Sequence, residues 1–82
     1  SKLDGSSIET LFVLGMAARH RKDYPAAEKI FDALTREAPG NPLYGLNLAL
    51  ALAGSEDARK RDRAVQQAEA VLTYARLAVW PA

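Results

Sequence analysis

Between Leu11 and Pro39, apolar residues recur at Leu11, Leu14, Gly15, Ala18, Ala27, Phe31 and Leu34, with Pro25 and Pro39 as punctuation. Steps of three, four and seven place such residues on one face of a helix. The apolar series is broken by Arg19–His20–Arg21–Lys22–Asp23, a basic helix end followed by a capping carboxylate. A proline two residues after that cap is tolerated in a first helical turn, whereas Pro39 prevents the second helix from continuing. The pattern predicts two antiparallel helices joined by a short turn. Gly15 and Ala27 are small where the helices approach most closely, and Leu14 and Phe31 fill the volume beside that approach.

The remaining chain extends this to about four helices. Ser6 and Glu9 have the spacing of a capping box, which predicts a first helix from near Ile8 to about Arg21. A second runs from Pro25 to about Glu37, with Ala27, Ile30, Phe31 and Leu34 turned toward the first. Asn41 then caps a third helix, about Leu43 to Ala53, which is apolar on almost every side apart from Gly45 and Asn47 and is therefore expected to be buried on both faces. Ser55, Glu56 and Asp57 announce a fourth helix bearing Ala64, Val65, Ala68, Val71, Leu72, Ala75 and Val79, ending by Trp80 ahead of Pro81.

Eighty-two residues form one small domain of marginal stability. With 49% hydrophobic and 26% charged residues the chain has the composition of a folded globular protein rather than a disordered one. There is no cysteine and only one histidine, so neither a disulfide framework nor a thiolate or imidazole metal site is expected, and a reducing, cytoplasmic setting fits best. No segment is long enough and apolar enough to span a bilayer, and the amino terminus lacks the basic-then-apolar pattern of a secretory signal, so no membrane insertion is expected. His20 and Asp23 have no serine, threonine or second carboxylate arranged around them, which leaves no catalytic or cofactor site to name.

The series Leu11-x2-Leu14-Gly15-x2-Ala18-x8-Ala27-x3-Phe31-x2-Leu34-x4-Pro39 resembles one tetratricopeptide repeat. It departs from that family at Leu11, where tryptophan is usual, and at Ala18, where tyrosine is favoured. The resemblance implies an all-α fold of antiparallel helix-turn-helix units, a tetratricopeptide-like α-solenoid. Residues 1–7 are then a linker or cloning remnant, 8–41 a first unit of 34 residues, and 42–80 a divergent second unit with a long final helix. In the second unit Ala49 stands where Gly15 did, Gly45 replaces the large residue Leu11, and matching Ala64 to Ala27 needs three extra residues between the helices. Two units are fewer than such arrays usually need. Either the fourth helix caps the stack, the chain is a fragment, or a partner completes the core.

The resemblance also implies that the first helix of each unit lines a concave groove, here Phe12, Met16, Leu43, Leu46, Asn47 and Leu50 with Glu9, Arg19, His20 and Ala53 nearby. That groove is largely apolar: Phe12 and Met16 stand where family members that hold a C-terminal carboxylate have lysine and asparagine, and only the asparagine-type position at Asn47 is kept. The expected role is protein–protein interaction, as a small chaperone or adaptor taking an apolar or amphipathic helix of a partner. Two other readings stay open. The same apolar residues can be covered by the fourth helix, or by a second copy, which would make the chain a homo-oligomerising structural module. Arg19, Arg21, Lys22, Arg59, Lys60, Arg61 and Arg63 at the two inter-helix turns form a basic edge for nucleic acid or an acidic partner, although interleaved acids and a net charge of +1 weigh against it.

Overall fold

The computed structural model describes residues 5–79, which form helices α1 (Gly5–His20), α2 (Tyr24–Glu37), α3 (Pro42–Ala53) and α4 (Ala58–Val79) and no strand. The fold is all-α. Each helix packs chiefly against its neighbour in the chain: α1 on α2, α2 on α3, and α3 on α4.

The chain's punctuation sets these boundaries. α1 closes in a Schellman-type turn: the Asp23 N–H reaches the Ala18 carbonyl at 2.8 Å, the Lys22 N–H reaches that of Arg19 at 3.0 Å, and Lys22 takes a left-handed φ of 65°. Asp23 then caps α2 by accepting the Ala26 N–H. Asn41 Oδ1 accepts the Leu43 N–H at 2.9 Å, with Pro42 opening α3. Before α4, Ser55 Oγ accepts the Asp57 N–H, Asp57 Oδ1 accepts the Arg59 N–H, and Arg61 Nη1 donates to the carbonyls of Ser55 and Glu56. One expected boundary moves. α1 begins at Gly5 rather than near Ile8, so Ser6 lies inside the first turn and not at its cap, and residues 5–7 belong to the fold. Trp80 and Pro81 lie outside the described residues.

The core joins Ala18 of α1, Ala27, Phe31 and Leu34 of α2, Leu48, Ala51 and Leu52 of α3, and Ala64 of α4. Two glycines decide how closely the helices approach. A Cβ on Gly15 would lie 2.8 Å from Phe31 Cζ and 2.9 Å from Ile30 Cγ2, so α2 can seat on α1 only because that position has no side chain. A Cβ on Gly45 would lie 2.5 Å from Val71 Cγ2, which explains why a glycine replaces the large residue expected there: α4 occupies the space. Leu14, expected beside the first crossing, is half exposed; Ile30 and Phe31 fill that volume instead. α3 is covered by α2 on one flank and α4 on the other, but a third stripe, Leu43, Leu46 and Leu50, remains open.

Candidate partner-binding surface

The six residues expected to line one groove separate into three environments. Phe12 is half-buried, its ring edge-on to Phe31 at 6.1 Å and tilted against Tyr44 at 5.8 Å, so it serves the α1–α2–α3 junction. Met16 is likewise half-buried against the core. Asn47 is not a groove residue: it is 5% exposed, and its Nδ2 donates to the Leu43 carbonyl of its own helix at 2.8 Å. Burial to that degree, with one N–H of the amide turned back onto the i−4 carbonyl, withdraws Asn47 from the open surface. Leu43, Leu46 and Leu50 remain, spaced by three, four and seven along α3 and about half exposed.

What the sequence reading missed is the wall opposite them. Leu46, Ala49, Leu50 and Ala53 of α3 face Ala64, Val65 and Ala68 of α4 across a cleft of about 380 Å³, with Arg61 at one end. Leu46 is 42% exposed, Leu50 50% and Val65 58%, so branched aliphatic side chains form a ridge on each side of a floor of alanines. Two antiparallel ridges flanking small residues are the shape into which the side chains of a third helix pack. The spacing of Val65, Ala68 and Leu72 continues the α4 ridge, and Leu72 is exposed as well.

A second cleft of about 430 Å³ lies between the end of α2, the α2–α3 turn and α4, lined by Pro39, Gly40, Pro42, Gly45, Val71 and Tyr74 among others. Three of the polar side chains around it are already engaged: Thr35 Oγ1 donates to the Phe31 carbonyl, Gln67 Nε2 to that of Gly45, and Asn41 caps α3, which leaves the Tyr74 hydroxyl. This cleft offers shape and apolar contact rather than a polar ligand site.

Comparison with protein-family models, curated proteins and solved structures finds no significant match. Among the described residues no group of three or more His, Cys, Asp or Glu could hold a metal ion, and no helix is long and apolar enough to cross a membrane. On the basic edge, Lys60 is paired with Glu28 at 3.1 Å and Arg61 is tied to two loop carbonyls, so part of its charge is spent inside the molecule.

Proposed function

We propose that this chain is a tetratricopeptide-like protein-interaction module, acting as an adaptor or small chaperone, and that it receives an apolar or amphipathic helix of a protein partner along the α3–α4 cleft. The observation that carries this is the exposure of Leu46, Leu50 and Val65 on two facing ridges above Ala49, Ala64 and Ala68. An exposed apolar surface of this form recovers free energy when another helix covers it, at roughly 25 cal/mol per Å² removed from water. The absence of cysteine keeps a reducing, cytoplasmic setting within the proposal.

The test is the binding of a fluorescent amphipathic peptide of leucine and lysine, helical and with leucines on one face, followed by anisotropy. Saturable binding is expected for the natural sequence and its loss for Leu46→Asp combined with Leu50→Asp, with helicity unchanged. Equal binding by both proteins overturns the assignment of the cleft.

A further inference from the structure

The molecule holds an internal example of a helix seated on a surface like the α3–α4 cleft: α3 lying against α1 and α2. There the Tyr44 ring of α3 packs on Phe12, the Tyr24 ring of α2 lies against Gly54 at the end of α3, and Leu48 and Ala51 enter the core beside Phe31. Moving 34 residues along the chain carries Phe12, Gly15 and Met16 onto Leu46, Ala49 and Leu50. Moving 37 residues carries Ala27, Glu28 and Phe31 onto Ala64, Val65 and Ala68. These are cleft residues, and the packing supports the equivalence, since Gly15 and Ala49 are both buried, as are Ala27 and Ala64.

The complementary half of that contact is repeated in part: Tyr44 and Gly54 of α3 correspond to Thr10 and His20 of α1, whereas the residues that enter the core are matched. Leu48 and Ala51, by which α3 seats, correspond to Leu14 and Ala17 of α1. Leu48 is 4% exposed, whereas Leu14 is 51% exposed and Val13 beside it 64%. α1 thus presents outward an apolar stripe at the positions with which α3 docks, and the α3–α4 cleft presents the surface on which such a helix sits.

We propose that the occupant of the cleft is a second copy of this chain, stacked head to tail with its α1 along α3 and α4. This rests on the reading of the cleft as a protein-binding surface and names its partner. The contact joins two different surfaces, so it is heterologous: each added copy leaves one cleft and one α1 stripe open, and association continues beyond two chains.

Sedimentation equilibrium over a range of concentrations tests this with Leu14→Glu, which blocks the α1 stripe, and Leu50→Glu, which blocks the cleft. Both positions are about half exposed, and circular dichroism checks that each variant folds; Val13→Lys and Val65→Glu form a second pair if one does not. The natural chain is expected to rise in mean mass with concentration past two chains. Each variant alone should stay at the mass of one chain, and an equimolar mixture should reach two chains and stop there, because only one intact pair of surfaces remains. Self-association of Leu14→Glu equal to that of the natural chain would mean a symmetrical cleft-to-cleft dimer and overturns the proposal, as does a natural chain that stays monomeric throughout. Leu50-dependent capture of the leucine and lysine peptide by a monomeric chain would leave the interaction function standing while rejecting self-stacking.

Discussion

Replacing Gly45 by alanine sets two effects of known size against each other. Alanine is favoured over glycine inside a helix by about 1 kcal/mol. Against this, its methyl would lie 2.5 Å from Val71 Cγ2 and 3.2 Å from Gln67 Nε2, where ordinary contact begins at 3.4 Å. Gln67 can swing aside, at the expense of its hydrogen bond to the Gly45 carbonyl. Val71 cannot, because a β-branched side chain in a helix has essentially one rotamer, so α3 and α4 must separate by about 1 Å. Overpacking of this kind costs about 1–3 kcal/mol, and a stiff neighbour places this case in the upper half, for a net loss of about 1–2 kcal/mol. Val71→Ala alone should cost about 1 kcal/mol, by analogy with other losses of a methyl or two from a packed site. The double variant removes the colliding methyl and with it the overpacking, so it should be more stable than the summed singles by about 2–3 kcal/mol. Urea denaturation followed by far-UV circular dichroism measures all four corners of the cycle, with an unchanged m-value as the check that the same transition is being compared. Additivity within about 0.3 kcal/mol, or a more stable Gly45→Ala, would refute the idea that glycine is there to admit α4.

Phe31 is fully buried and edge-on to Phe12, so Phe31→Ala should cost about 3–5 kcal/mol. That is most of what a domain of this size possesses, and the far-UV signal of the variant should be lost or melt well below that of the natural chain. Lys22→Gly relieves a left-handed backbone at the end of α1 and should stabilise by about 0.5 kcal/mol after the greater freedom of glycine in the unfolded chain is counted, read as a rise in urea midpoint. Glu28→Gln breaks the ion pair that ties the start of α4 to α2; a loss of less than about 1 kcal/mol is expected in low salt, and it should shrink as salt is added.

The helices were legible because their punctuation is chemical: Asp23, Asn41 and Asp57 cap, and Pro25 and Pro42 sit in first turns where their missing N–H costs nothing. The start of α1 was less legible, since serines near a helix start can cap it or lie within its first turn. The binding surface was half legible. Leu43, Leu46 and Leu50 were placed on a groove by the resemblance to a repeat whose first helices line the concave face, whereas the apolar residues on every side of that helix predicted burial on both faces. Asn47 was placed with them by the same register, whereas its side chain is buried and its amide bonds back onto its own helix. Val65 and Ala68 were hidden inside a single broad apolar stripe on α4. Ala64 and Val65 point about 100° apart, so one faces the core and the other does not, and which edge of a stripe is covered depends on where α3 lies.

The neighbour-on-neighbour order of helix packing also bears on how the chain reaches this state. Contacts between helices adjacent in sequence close short loops, which places such a topology among the rapid folders, in roughly the microsecond to millisecond range. At 12 residues α3 is too short to persist as an isolated helix in water, and it is shared between two hairpins, one with α2 and one with α4. Whichever hairpin forms first therefore supplies an ordered α3 on which the other can complete itself, so the chain has two routes to one structure and α3 is the step common to both.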